Sequence, residues 1–136
     1  LFSIWVAHAP AYVATIIGAE PLDLAKKIEK LRSMNGPRML IALSPCPTGW
    51  DYDPKHSVEI GRLAVQTGVW PLKEYIDGEV VHTKIPKKDI NGKRTPVEEY
   101  LKLQGRFKHL FYPHRDEQGI AEIQARIDAY WDKISR

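Results

Sequence analysis

Met39-Leu40-Ile41-Ala42-Leu43 runs straight into Ser44-Pro45-Cys46-Pro47-Thr48-Gly49-Trp50-Asp51-Tyr52-Asp53. A short, continuously apolar run bounded by turn residues predicts a strand buried on both faces, as in a parallel sheet. The character of the chain then changes at once. Prolines on either side of Cys46 exclude helix there and remove two backbone donors. Gly49 allows a turn that other residues resist. The expected object is a strand ending in a stiff loop with a thiol at its tip. Ligands gather at the carboxyl ends of strands in open α/β sheets, so Cys46 stands where chemistry is expected.

Working back from this stretch, Asn35-Gly36-Pro37 is a strong helix stop. The helix it ends opens at Pro21 or Leu22 and places Leu24, Ala25, Ile28 and Leu31 on one face. Lys26, Lys27, Lys30 and Arg32 fall on its other faces. Before it, Tyr12-Val13-Ala14-Thr15-Ile16-Ile17 is β-branched and aromatic and predicts a strand. Strand, helix and strand with short links make a βαβ unit with parallel strands. Leu1 to Ala9 reads as the end of a helix stopped by Pro10. The chain opens in an apolar run without Met, and the expectation is a piece of a larger polypeptide whose sheet continues into earlier residues.

Working forward, Asp53-Pro54 is a helix start with Asp as N-cap and Pro in the first turn. Val58, Ile60, Leu63 and Ala64 are the expected buried face, and Gly68 the stop. Trp70 to Ile76 and Val80 to Ile85 read as two strands of a hairpin turning at Asp77-Gly78, with Pro71 pointing to an edge position. A polar loop follows, with a turn at Asn91-Gly92. Thr95-Pro96-Val97-Glu98 has the form of a capping box. The helix it opens presents Val97, Tyr100, Leu101 and Gln104 and stops at Gly105. Phe107 to Pro113 is irregular. Asp116 caps a last helix with the stripe Ile120, Ile123, Ile127, Tyr130, Trp131 and Ile134. The fold class is α/β, divided into 1-70 as the α/β part, 71-92 as hairpin and loop, and 93-136 as a C-terminal helical extension.

At 136 residues the length suits one domain, and 43% apolar with 27% charged residues suits a globular protein. No apolar run approaches the roughly 20 residues of a membrane span, so no membrane partner is expected. A net charge of +3 without a dense basic stripe argues against nucleic acid. Lys87, Lys88, Lys93 and Arg94 form either a solvated loop or a docking surface for an acidic protein. A single cysteine cannot close an internal disulfide, which fits a reducing, cytoplasmic setting.

That cysteine is core filler, nucleophile or metal ligand. A core cysteine sits inside an element, whereas Cys46 lies between prolines. A thiol nucleophile needs a base and an orienting group, and no motif supplies them. His8, His56, His82, His109 and His114 are scattered without metal-ligand spacing. Asp51 and Asp53 resemble a carboxylate pair, but capping accounts for Asp53. Trp50 lies four residues from Cys46 and can shield a group bound there from water.

Three separated stretches carry a resemblance: Ser44-Pro45-Cys46-Pro47-Thr48-Gly49-Trp50, Leu63-Ala64-Val65-Gln66-Thr67-Gly68-Val69-Trp70-Pro71-Leu72, and Thr95-Pro96-Val97-Glu98-Glu99-Tyr100-Leu101-Lys102-Leu103-Gln104-Gly105-Arg106-Phe107. Together they resemble the C-terminal part of the thiamine-diphosphate-binding β subunit of 2-oxoacid:ferredoxin oxidoreductases of the pyruvate synthase type. The resemblance implies part of a thiamine-diphosphate-binding α/β fold, here residues 1-70. It implies oxidative decarboxylation of a 2-oxoacid to acyl-coenzyme A, with electrons passing through [4Fe–4S] clusters to ferredoxin. The implied partners are the other subunits or domains, ferredoxin, the 2-oxoacid and coenzyme A. It places Cys46 as one [4Fe–4S] ligand. The family's Gly-Asp-Gly segment for diphosphate and Mg²⁺, and its Cys-x-x-Cys pair, are absent from this sequence. Thiamine diphosphate and Mg²⁺ are therefore expected to be held mainly by residues outside this chain, with no catalytic residue in it. A non-catalytic packing or assembly module, and a stand-alone thiol enzyme using Cys46, are the competing expectations.

Overall fold

Tyr12–Ile17 (β1) and Arg38–Leu43 (β2) pair in parallel, in register from Tyr12 opposite Arg38 to Ile17 opposite Leu43. The structure is a computed structural model and describes residues 1–134. The link between the strands is the helix Pro21–Ser33 (α2), with Pro21 in its first turn, where a missing N–H costs nothing. A short helix, Phe2–Val6 (α1), precedes β1. The hairpin Leu72–Ile76 (β3) and Glu79–Lys84 (β4) joins the same sheet: β3 runs antiparallel to β1, with Val13 opposite Tyr75 and Ala14 opposite Glu74. Asp77 and Gly78 both have positive φ, +52° and +85°, the backbone of the tight hairpin turn that matches strand twist. The strand order is β2-β1-β3-β4, a mixed sheet, and the chain is α/β as expected.

The chain falls into two compact units. The first comprises Leu1–Ser44 and Pro71–Ile85 and contains the sheet. Its centre is β1: Tyr12, Val13, Ala14 and Ile17 are buried, and each large apolar side chain so placed contributes about 1.5–3 kcal/mol. Polar groups around this strand are partnered. Tyr12 Oη donates to Glu74 Oε2 at 2.7 Å, and Lys30 pairs with the other oxygen of the same carboxylate. Thr15 Oγ1 donates to the Pro71 carbonyl at 2.6 Å and accepts from the Lys73 amide at 2.9 Å. Burial and the Glu74 carboxylate push the Tyr12 phenol far above its ordinary range, so it remains a donor.

Three expectations are corrected in this unit. β2 is not buried on both faces; its residues are half-buried or exposed, because it lies at the edge of the sheet. Pro71 does not mark an edge strand: it precedes β3, which is internal, and β4 occupies the edge. On α2, Ile28 and Ala25 are exposed, whereas Lys27 is the buried residue at 1% exposure. Its ammonium donates to the Thr15 carbonyl at 2.9 Å and to Asp23 Oδ2 at 2.6 Å. Those two acceptors are what allow a lysine to enter the interior, and burial lowers its pKa.

The second unit comprises Pro45–Trp70 and the chain from Pro86 onward. It holds the helices Pro47–Trp50 (α3), Ser57–Gln66 (α4), Val97–Leu101 (α5) and Glu117–Ile134 (α6), with 3₁₀ turns at Pro54–His56 and Gly105–Leu110. α4 packs on α5, and α5 on α6. Trp131 of α6 is fully buried and donates its indole N–H to the Gly68 carbonyl at 3.0 Å. Gly68 follows the C-cap of α4 with φ +84°, and a Cβ there would overlap that indole. Val97, Tyr100, Leu101 and Gln104 are buried, and Asp116 Oδ1 caps α6 by accepting from the Gly119 amide at 2.8 Å.

Two details differ from expectation here. Val58 is 55% exposed, and the buried face of α4 is Ile60, Gly61, Ala64 and Val65, rotated from the expected one. The capping box at Thr95 does not form: Pro96 is the N-cap of α5, and the Val97 amide donates instead to Gln124 Oε1 of α6 at 2.8 Å. Glu98, freed from a capping role, binds the Arg115 guanidinium through both oxygens.

Candidate functional site

The two prolines do not exclude helix after Cys46. Pro47 takes the first position of α3, where its fixed φ suits a helix and no N–H is needed. Cys46 itself is extended, φ −115° and ψ 105°, and serves as the N-cap. Its Sγ accepts the Gly49 amide at 3.3 Å, and the thiol is exposed. α3 is one turn long, closed by the Trp50 amide to the Cys46 carbonyl at 2.9 Å and the Tyr52 amide to the Pro47 carbonyl at 3.2 Å. Asp51 ends it in the left-handed region, φ +56°.

The first and third signature stretches meet at this turn. The Gly105 amide donates to the Asp51 carbonyl at 2.7 Å, and a Cβ on Gly105 would overlap the Asp51 carboxylate. The next residue, Arg106, lays its guanidinium over the Trp50 indole, 3.8 Å from the ring centre, and over Phe107 at 4.6 Å. Arg106 Nε donates to Gln104 Oε1 at 2.9 Å and Nη2 donates to Tyr100 Oη at 3.1 Å. Gln104 and Tyr100 are buried, and burial raises the Tyr100 phenol pKa, which keeps that oxygen a neutral acceptor. The second stretch enters through α4, packed on α5.

The remaining candidates are dispersed. Asp53 is a cap, accepting from the Lys55 amide at 3.1 Å; the Lys55 hydrogen bonds hold its carboxyl below the usual range. Asp51 contributes its carbonyl to Gly105 rather than joining Asp53 as an acid–base pair. His56 bonds Glu59 at 2.7 Å, while His109 and His114 are exposed. Among the described residues, no group of three or more His, Cys, Asp or Glu side chains is arranged to hold a metal ion. In the basic loop, Arg94 is buried and bonded to Asp128 at 2.9 Å and Asp132 at 3.4 Å, so Lys87, Lys88 and Lys93 are its exposed cations. Among the described residues, no helix is long and apolar enough to cross a membrane.

Arg106 is the residue of this site that reading the sequence did not single out. Arg106 lies within the third signature stretch, but that stretch gives it no role, because its partner Trp50 is distant in sequence and Tyr100 lies a turn away.

What fold and site define together is a class: an α/β protein that follows a parallel strand with a proline-stiffened turn displaying one exposed thiol. No protein-family model matches the chain. It is 44% identical over 125 residues to pyruvate synthase subunit PorB of Methanocaldococcus jannaschii, covering 92% of this chain and 39% of that protein. It is 40% identical to pyruvate synthase subunit PorB of Pyrococcus furiosus, over 92% of this chain and 41% of the relative. Ketoisovalerate oxidoreductase subunit VorB of the same organism is 36% identical over 100% of this chain and 41% of its own length. Over nearly its whole length, then, the chain is a homologue of the PorB and VorB oxidoreductase subunits, the family that its three signature stretches resemble. It spans about two fifths of the length of these relatives.

Proposed function

We propose that this chain is the C-terminal part of a thiamine-diphosphate-binding β subunit of a 2-oxoacid:ferredoxin oxidoreductase, in which Cys46 is one thiolate ligand of a [4Fe–4S] cluster. The observation that carries the reading is the exposed Cys46 Sγ on a stiff turn, accepting a backbone N–H from Gly49. Thiolates are the ligands of such clusters, and N–H groups directed at their sulfurs tune the potential. The donor set fits one corner of a cluster and no more, since the sequence contains a single cysteine. The other ligands belong to residues outside this chain.

The bound cluster would supply one-electron transfer, and thiamine diphosphate with Mg²⁺ the decarboxylation of a 2-oxoacid such as pyruvate. This chain's own residues hold the thiol in place. Pro47 and the Gly49 amide set the geometry of Cys46. Other subunits, coenzyme A and ferredoxin complete the reaction in this reading, and the exposed Lys87, Lys88 and Lys93 suit an acidic protein such as an electron acceptor. Cytoplasmic residence follows from the same reading.

The test is Cys46→Ser in the complete enzyme. Serine preserves size but is a harder and poorer ligand for iron–sulfur chemistry. The expected result is loss of the iron and the electron paramagnetic resonance signal of one cluster, with thiamine diphosphate occupancy retained. Unchanged iron and spectrum would remove Cys46 from the ligand set and leave the chain as a packing module of the complex.

A further inference from the structure

We infer that Arg106 is the positioning residue of the Cys46 turn: stacked on Trp50 and tied to Gln104 and Tyr100, it holds α3 in the geometry that presents the thiol. The consequence for iron binding rests on the proposed role of Cys46; the consequence for the turn does not.

A helix of one turn cannot hold itself, because a first turn fixes many dihedrals for little hydrogen bonding. α3 has four residues, and the left-handed Asp51 that follows adds strain for a non-glycine residue. Its outside anchors come from two consecutive residues. Gly105 supplies a backbone amide to the Asp51 carbonyl, and Arg106 supplies a flat cation to the Trp50 ring. The guanidinium uses its face and its edge at once: the face lies on Trp50, while Nε and Nη2 donate to Gln104 and Tyr100. Those acceptors are buried. Gln104 is 1% exposed and donates its own amide to the Tyr100 carbonyl at 2.5 Å. Arg106 therefore transmits the rigidity of a buried pair to an exposed turn. A lysine keeps the charge but has no planar face and no fork, so it cannot substitute.

The experiment uses the complete enzyme and peptide-resolved amide hydrogen exchange, with Arg106→Leu and Arg106→Lys beside Cys46→Ser. In both Arg106 variants exchange across residues 46–53 should be roughly two- to fivefold faster, the factor matching loss of one exposed cation–π contact. Exchange across α6 should not change. Iron loss in air should accelerate in the same two variants. Unchanged exchange across 46–53 would overturn the inference. So would wild-type behaviour of Arg106→Lys, which would assign the effect to charge alone, or an equal acceleration in α6, which would mean general destabilisation. If the turn loosens while neither the Arg106 variants nor Cys46→Ser alters iron, the positioning role stands and the cluster reading of Cys46 falls.

Discussion

β1 and β2 are parallel neighbours of six residues each, and both are dominated by apolar side chains, yet one is almost wholly buried and the other is half-buried or exposed throughout. The helices repeat the contrast. The expected apolar stripe of α6 is buried or half-buried along its length, while in α2 Ile28 is exposed and Lys27 lies inside. An apolar pattern states which surface wants a partner, and only the neighbouring elements decide whether it has one. β1 has a strand on each side; β2 has one on a single side among the described residues.

Paired substitutions across this contrast can break it. The largest difference is expected between Val13→Asp and Ile41→Asp, on the two paired strands, where Val13 stands opposite Met39 and Ile41 opposite Thr15. A carboxylate at the fully buried Val13 has no partner and should cost more than about 3 kcal/mol, enough to unfold a marginal domain. At half-exposed Ile41 the loss should stay below about 1 kcal/mol. Urea titrations of the two variants would show it, and equal losses would mean that β2 is as enclosed as β1.

The helix comparison predicts a gap of the same sign. Trp131→Ala empties a fully buried site and leaves the Gly68 carbonyl without its donor, for about 3–5 kcal/mol. Ile28→Ala on the exposed face of α2 should stay within about 0.5 kcal/mol. Thermal unfolding followed by near-ultraviolet circular dichroism separates the two outcomes.

The smallest effect is electrostatic. Arg115 holds the Glu98 carboxyl below its usual range. The unfolded state therefore binds the proton first, so this pair's contribution is present above the unfolded pKa of about 4.3 and is lost as pH falls through the folded value. For so exposed a pair, screened by solvent, the contribution is small. Glu98→Gln should flatten the acid limb of stability against pH without altering the plateau slope; an unchanged limb would mean the pair is worth nothing in solution.

Much of this was readable in the sequence wherever the deciding physics is local. Asp77-Gly78 demands its turn through backbone sterics, Asp116 caps α6, and the period of Val97, Tyr100, Leu101 and Gln104 marks a face that is in fact buried. What escaped depends on distant residues. Lys27 looked like a surface lysine because the Thr15 carbonyl that receives it lies across a turn and a strand end. Thr95 looked like half of a capping box, but Gln124 reaches the Val97 amide first. At the site, the exposed Cys46 beyond a parallel strand was legible from Pro-Cys-Pro, whereas the clamp of Arg106 on Trp50 joins residues more than fifty positions apart and has no local signature.

The strand order β2-β1-β3-β4 also sets a timetable. β1, α2 and β2 are consecutive and can associate as soon as they are made, since the contacts between them close short loops. The other flank of β1 waits for β3, and the Tyr12–Glu74 hydrogen bond spans 62 residues. In between, the chain leaves the sheet to contribute Pro45–Trp70 to the helical unit and then returns. Neither unit is a contiguous stretch, so a ribosome cannot release one finished before the other has begun. At the synthesis rates typical of cells, β1, the most buried strand among the described residues, therefore spends seconds with one edge unpaired, an interval in which holding chaperones and premature association compete for the same row of backbone groups.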